Sequence, residues 1–342
     1  MVTSAWPCFP GKTHVHEDVD MANSIKWHHF LPFEILPPLG LAAYTVGRTL
    51  LDRPTRRSPA MSSFHSLLAA LAILFAAQVA LAEKTQYVRF QKGDTVAYGL
   101  VEGDRVRQLT GDLFASPTKT DTTFAMSEIK LLPVTKPTQV LALAGNYKSH
   151  LPGAEIPPKF KIVQPFYKSP SCLVAHGDNI VIPTDAKDVH FEAELVIVIG
   201  KKASKVSEAD ALSYVFGITA GNDVSERIWQ NDEATKDVQW WRAKGADTFG
   251  PVGPVITSGI DYGKLRIQMR VNGETKQDDN TSALIHSIPK TVSYISQYVT
   301  LQPGDLIFTG TPGKTSAIKP GDVCEVELEG VGILRNPVVL GK

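Results

Sequence analysis

The chain has 342 residues, enough for one large domain or two smaller ones, with the 43% hydrophobic and 20% charged content of an ordinary globular protein. Lys+Arg and Asp+Glu are both 35, so the formal net charge is zero; this excludes the basic footprint of a nucleic-acid binder and a polybasic membrane patch. The three cysteines, Cys8, Cys172 and Cys324, form no CxxC or Cys/His cluster, which argues against zinc.

Residues 1–60 scatter Trp, His and Pro without a sustained period and read as leader, with translation starting at Met61 or Met21. Residues 67–82, LLAALAILFAAQVALA, are short for a membrane-spanning helix and contain Gln78. They end in Ala80-Leu81-Ala82, with small residues where a signal peptidase needs them, so residues 61–82 are expected to be a secretory signal cleaved after Ala82. The alternative is a buried helix of the mature protein. The positive charge of such a signal lies upstream, at Arg53, Arg56 and Arg57, and not in MSSFHS. On the signal reading the mature protein is exported and carries no stable membrane span; otherwise it is cytoplasmic.

From Tyr87 to Leu109, β-prone runs are separated by Lys92-Gly93-Asp94 and Glu102-Gly103-Asp104, which predicts a small antiparallel meander. Residues 83–137 therefore read as a small N-terminal β domain, with the Thr-, Ser- and Pro-rich stretch 110–137 as its linker. A main domain over 138–342 follows. Its strand candidates are VLALAG, NIVIP, FEAELVIVIG, YVFGITAGND, IQMRVNG, DLIFTG and CEVELEG. Ser207 with Asp210 resembles a capping box opening a helix over 208–213, and a second helix starts after Asp223. Pro-Gly-Asp turns stand at 303–305 and 320–322. The fold class is α+β, dominated by β. Cys172 and Cys324 read as isolated buried thiols, with a disulfide between them left open.

The main chemical signal is HFEAELVIVIG, residues 190–200. Side chains alternate along a strand, so His190, Glu192, Glu194, Val196 and Val198 share one face, and the other face is wholly apolar. A face that turns from carboxylate to valine halfway suits a buried strand with one end opening into a site. Two enclosed carboxylates repel each other and lose hydration, and a divalent cation removes both costs. Oxygen ligands point to Mg²⁺ first, with Mn²⁺ or Ca²⁺ as alternatives. Asp223, where a strand gives way to a helix, is placed to join them. Taken alone, the glutamates also fit a solvated strand edge, and Asp223 also fits a helix N-cap.

AGNYKSH, HFEAELVIVIG, GITAGNDVSERIWQ, WRAKGADTFGPVGP, TGTPGK and PGDVCEVELEGVGILRNPV stand in an order that resembles the fumarylacetoacetate hydrolase family. The likeness runs from about Val140 to Pro337, and the meander resembles the family's small leading domain. It implies a mixed β-sheet roll and a metal held by Glu192, Glu194 and Asp223. It also implies that Lys244 faces the substrate beside the metal and that His150 is a base. Tyr147, Arg227, Gln230, Gly310 and Thr311 would line the substrate pocket, and Lys168 would lie close by. By the same resemblance the protein is a homodimer acting on a small anionic keto or enol acid.

One departure stands out. Many relatives carry a glutamate three residues after the histidine; here that position is Gly153, after Pro152, and the nearest carboxylate is Glu155. The expected reaction is hydrolysis of a C–C bond in an acylpyruvate- or fumarylpyruvate-type diketo acid, with His150 and Glu155 activating water. The alternatives are an isomerase or decarboxylase using the same metal site, and a catalytically silent metal or small-acid binding protein.

Overall fold

The structure, a computed structural model, describes residues 83–342; the leader and signal expectations for residues 1–82 lie outside the described residues. The chain first runs β1 (Thr85–Lys92), β2 (Thr95–Glu102), β3 (Arg105–Thr110), β4 (Thr118–Ala125) and β5 (Lys130–Leu131). It continues through β6 (Val140–Leu143), β7 (Pro165–Lys168), β8 (Leu173–Val174), β9 (Ile180–Ile182), β10 (Val189–His190), β11 (Ala193–Ile199), β12 (Val215–Asn222) and β13 (Ser225–Glu226). Two one-turn helices, α1 (Arg227–Asn231) and α2 (Trp241–Gly245), precede β14 (Gly250–Ser258), β15 (Arg266–Val271) and β16 (Glu274–Asn280). Helix α3 (Ile288–Ser296), β17 (Leu306–Phe308), β18 (Val323–Leu328) and β19 (Gly332–Leu340) complete it.

The large sheet runs β4-β3-β2-β1-β14-β12-β11-β17-β6-β7, with β5 on β1 and β8 on β14, and a second sheet runs β16-β15-β18-β19-β9. All seven strand candidates of the main domain lie on observed strands. Apolar side chains of the second sheet, among them Ile267, Met269, Val326 and Leu334, share one core with Leu195, Ile197, Ile199 and Ile218 of the large sheet. Val196 and Val198, on the opposite face of β11, pack with Val140, Ile256 and Phe308. β11 is thus covered on both faces, which is why its sequence is a near-continuous apolar run once the glutamates end. Among the described residues no helix is long and apolar enough to cross a membrane.

Two expectations change. The stretch 110–137 is no plain linker: its threonine run forms β4, paired with β3, because β-branched side chains favour a pleated surface. β1 of the meander pairs with β14, so the N-terminal strands and the main domain share one sheet. The helix expected over 208–213 is a 3₁₀ turn at Ala211–Tyr214. Ser207 and Asp210 bond side chain to side chain at 2.6 Å and close a local turn, and β12 begins at once. Cys172 and Cys324 are buried free thiols.

Candidate metal centre

The carboxylates emerge at a break between β10 and β11. Side chains from other elements hold the backbone there: Asn222 Oδ1 accepts from Glu192 N at 2.8 Å, and Gln277 Oε1 from Ala193 N at 3.0 Å. Asp223 N donates to the Glu192 carbonyl at 2.9 Å, fixing the end of β12 against this break. Asp223 is not the cap of α1; Glu226 is, accepting from Trp229 N. The Asp223 carboxylate is thereby free to turn inward. Glu192, Glu194 and Asp223 are all buried, and one oxygen from each lies within 4.8 Å of the others.

Three cations surround them. Lys244 Nζ donates to Glu192 Oε2 at 2.7 Å and Asp223 Oδ2 at 2.8 Å. Lys168, buried at the end of β7, donates to Asp223 Oδ1 at 2.6 Å, to the Phe249 carbonyl at 3.1 Å and to the Lys244 carbonyl. Arg227 Nη2 donates to Glu192 Oε1 at 2.6 Å, and its Nη1 donates to Gln230 Oε1 at 2.7 Å. Lys244 is presented by α2, whose first turn is capped by the Asp237 carboxylate through Arg242 N and Ala243 N. Trp240, just before it, holds a left-handed backbone with φ 56°, a costly conformation that clusters at functional sites.

Glu194 differs from its neighbours: among the described residues the one hydrogen bond to its carboxylate comes from Gly310 N, at 2.6 Å. Gly310 has φ +96°, and a Cβ there would lie 2.9 Å from Asn146 Cβ, so glycine is required for the close approach. Burial, then the charges of Asp223 and Glu192, push the Glu194 carboxyl well above its ordinary pKa. Burial works the same way on Glu192, but Lys244 and Arg227 outweigh it and hold that carboxyl below the usual range. The donor set therefore fits a hard divalent cation. It is all carboxylate oxygen, each oxygen keeps a lone pair, and one member lacks a counter-charge of its own.

A cavity of about 430 Å³ opens over this cluster. Glu192, Lys244, Arg227, Gln230 and Thr311 supply its polar side; Leu151, Phe160, Phe166 and Trp240 supply an apolar wall. His150 lines it too, with Nδ1 2.7 Å from the Gly313 carbonyl. A carbonyl only accepts, so Nδ1 carries a proton and Nε2 is the ring nitrogen left without a protein partner among the described residues. A larger cleft of about 740 Å³, beside Tyr167, Ser169 and Trp241, is lined by Lys168 but by none of the three clustered carboxylates, whereas Glu192, Lys244, Arg227 and His150 all line the smaller cavity.

Of the residues named from sequence, the structure brings together Glu192, Glu194, Asp223, Lys244, Lys168, Arg227, Gln230, Thr311 and His150. Gly310 serves through its backbone N–H and does not line the cavity. Tyr147 is fully buried outside the cavity lining, with no hydrogen-bond partner for its hydroxyl among the described residues. Burial and the charges of Asp279 and Glu194 raise its pKa. Glu155 is exposed and makes no hydrogen bond to His150. Sequence reasoning missed Gln277. Its amide donates to Thr311 Oγ1 at 2.9 Å and to the Pro312 carbonyl while accepting from Ala193 N. Its one signal was a glutamine amid the mostly charged run 274–279.

The profile "Fumarylacetoacetate (FAA) hydrolase C-terminal" matches residues 139–339, and "Rv2993c-like, N-terminal" matches residues 85–133. The 4-hydroxyphenylacetate degradation bifunctional isomerase/decarboxylase of Salmonella dublin is 38% identical over 272 residues, covering 76% of this chain and 62% of that protein. The 2-hydroxyhepta-2,4-diene-1,7-dioate isomerase of Mycobacterium marinum superposes with TM-score 0.68 at 36% identity, over 75% of this chain and all of the other, 100%. Maleylpyruvate hydrolase of Sphingobium sp. SYK-6, solved with manganese(II) and pyruvate, gives TM-score 0.62 at 28% identity, with coverage of 75% and 100%.

Proposed function

The chain belongs to the fumarylacetoacetate hydrolase family, and from that premise we propose that it hydrolyses a C–C bond in a small acylpyruvate-type diketo acid. A divalent cation, Mg²⁺ first and Mn²⁺ or Ca²⁺ as substitutes, would be held by Glu192, Glu194 and Asp223.

A charge count carries the reading. Three carboxylates meet three cationic side chains, Lys168, Lys244 and Arg227, so the ionised cluster is neutral by itself. A dication leaves it with two positive charges in excess, in a buried setting where excess charge is costly. The pyruvate half of a diketo acid supplies one negative charge as its carboxylate and a second as its C–C bond breaks. The excess is thus matched best at bond breaking, the condition for catalysis. When bound, the cation supplies Lewis-acid stabilisation of that second charge.

The protein's own groups do the rest. Lys244 holds a fixed charge at the polar side of the cavity, and Arg227 with Gln230 meets the carboxylate end. The Leu151, Phe160, Phe166 and Trp240 wall packs the carbon tail and thins the water. His150 Nε2 takes a proton from water, and the hydroxide adds to the distal carbonyl carbon. The bond from that carbon to the pyruvate half breaks, leaving the electron pair on pyruvate as its enolate, which takes a proton back from the imidazolium. The products are pyruvate and a second carboxylic acid.

Isomerisation or decarboxylation is the second reading, favoured by the placement of Glu155. With Glu155 exposed, His150 has a carbonyl and no carboxylate behind it, which suffices for proton transfer to carbon. Incubation with acetylpyruvate, fumarylpyruvate and oxaloacetate, each with and without Mg²⁺, tests both. Mg²⁺-dependent pyruvate plus a second acid supports hydrolysis. Carbon dioxide release supports decarboxylation, and an enol absorbance change without cleavage supports isomerisation. Tight Mg²⁺ uptake with no turnover of any of the three overturns the substrate class and leaves a binding protein.

Two assignments from the sequence join the proposal: the protein works as a homodimer, and it is exported after cleavage past Ala82. A monomer mass by light scattering rejects the first; a mature N-terminus well upstream of Glu83 rejects the second.

A further inference from the structure

Thr315, beyond the end of the TGTPGK motif, sits where three groups meet. Arg227 Nη2 donates to its Oγ1 at 2.9 Å, and His190 Nδ1 lies 2.9 Å from the same oxygen. His190 Nε2 lies 3.0 Å from Asp188 Oδ1. A guanidinium only donates and a carboxylate only accepts, so a neutral ring has one consistent arrangement. Nε2–H donates to Asp188, Nδ1 accepts the Thr315 hydroxyl proton, and Oγ1 accepts from Arg227. Each group in this chain aims the next.

The backbone around the chain is stitched down as well. His190 pairs with Ser225 on one side and bridges Ala317 on the other, and Ile318 N donates to the Val189 carbonyl at 2.8 Å. The hydroxyl therefore has a fixed origin. On the Arg227 side, Nη2 spends both hydrogens, on Glu192 and Thr315, and Nη1 spends one on Gln230. Nε–H and one Nη1 hydrogen have no protein acceptor among the described residues, and Arg227 lines the cavity.

We propose that Asp188, His190 and Thr315 are positioning residues that set the rotation of the Arg227 guanidinium, so that its uncommitted N–H groups meet the carboxylate of the bound oxo acid. The inference rests on the metal and oxo-acid reading above and adds how affinity for the acid is set. Without the hydroxyl, Arg227 keeps its ion pair with Glu192 but can swivel about it. The acid must then bear the ordering cost that the protein now bears in advance.

The test compares Thr315→Val, nearly equal in volume but lacking the hydroxyl, with Thr315→Ser, which retains it. Calorimetry is run on the full chain, first with Mg²⁺ alone and then with oxalate on the Mg²⁺-saturated protein, alongside thermal unfolding. T315V should bind Mg²⁺ within about twofold of the unsubstituted protein, because Lys244 and Arg227 still hold Glu192. Its oxalate affinity should fall about tenfold, which is about 1.4 kcal/mol, with little change in unfolding temperature, and T315S should restore it. Unchanged oxalate affinity in T315V overturns the inference. So does T315S binding as weakly as T315V, or an Mg²⁺ loss that accounts for the whole oxalate effect. The unsubstituted protein's own titrations bear on the underlying reading: failure to take up Mg²⁺ or oxalate there overturns both.

Discussion

Glu194→Gln should make the metal-free protein more stable and the metal-loaded protein less stable than the parent. Glu194 lies with two other carboxylates whose oxygens approach within 4.8 Å. At an effective dielectric of about 20, a like-charge pair at that distance costs at least about 3.5 kcal/mol. Lys244 offsets part of this, and protonation of Glu194 relieves the rest. Holding a proton at pH 7 on a group whose ordinary pKa is 4.5 costs about 3.4 kcal/mol at 1.36 per pH unit. By either route the amide, which still accepts from Gly310 N, removes a penalty of about 1–3 kcal/mol. At about 2–4 °C per kcal/mol the metal-free variant should melt several degrees higher. The sign follows from linkage: a raised folded-state pKa is a stability contribution present at low pH and lost as pH rises, so the gap between variant and parent should open above pH 4.5. Saturating Mg²⁺ reverses the order, because the parent gains about 4.1 kcal/mol at a thousand times Kd, more than the penalty, and the variant gains little. Differential scanning calorimetry with EDTA and with Mg²⁺, at pH 5 and pH 8, reads both signs. A variant that melts lower in EDTA, or that Mg²⁺ stabilises as much as the parent, refutes the mutual repulsion or the ligand role respectively.

Lys168→Met should cost about 3–5 kcal/mol in urea unfolding, because it leaves Asp223 Oδ1 and two carbonyls without this donor in the interior and Lys244 as the one cation on Asp223; a loss under 1 kcal/mol would mean the ammonium is not needed there. His150→Ala should spare Mg²⁺ affinity and lower kcat by about a hundredfold or more on whichever acid is turned over, and an unchanged kcat removes His150 from proton transfer. Burial pushes the Cys172 thiol up to about 11, from an ordinary 9.0. The stability tied to its neutral form is therefore intact below pH 9 and lost as pH rises toward 11. Relative to Cys172→Ala, the parent should lose about 2–3 kcal/mol across that window. Parallel pH curves for the two would contradict it.

The strands were legible because period-two alternation and Gly-Asp or Pro-Gly-Asp turns are local signals, and burial of β11 on both faces shows in VIVIG itself. The Glu192–Glu194 spacing and the position of Asp223 at a strand end were legible for the same reason. What was not legible depends on distant residues. Gln277 acts on the carboxylate strand from 84 residues away, and Lys168, named from the family resemblance alone, reaches Asp223 across 55. No periodicity within a strand announces either. Local reasoning also failed where a side chain competes with the backbone: the Ser207–Asp210 pair looked like a helix start and is a closed turn.

The segment after β17 explains why so many distant groups converge. Gly310 N holds Glu194, Thr311 Oγ1 donates to the Ala193 carbonyl at 2.9 Å, the Gly313 carbonyl sets the His150 tautomer, and Thr315 meets Arg227. Four contacts within six residues bear on a proposed metal ligand, the strand between two such ligands, the proposed base and the arginine. The segment is held in turn by Asn146, whose amide donates to the Thr309 carbonyl at 2.8 Å, and by Gln277 at Thr311 and Pro312. The two backbone groups, Gly310 N and the Gly313 carbonyl, cannot change rotamer, the two threonine hydroxyls are each held by a second hydrogen bond, and a loop clamped at several points holds side chains from separate elements to one geometry. A substitution that shifts this segment should therefore weaken metal uptake, base function and acid binding together, whereas one at Thr315 should disturb the last alone. That difference separates a scaffold from a positioning contact, and it makes the run from Gly310 to Thr315, more than any one carboxylate, the element that turns three buried acids into a site.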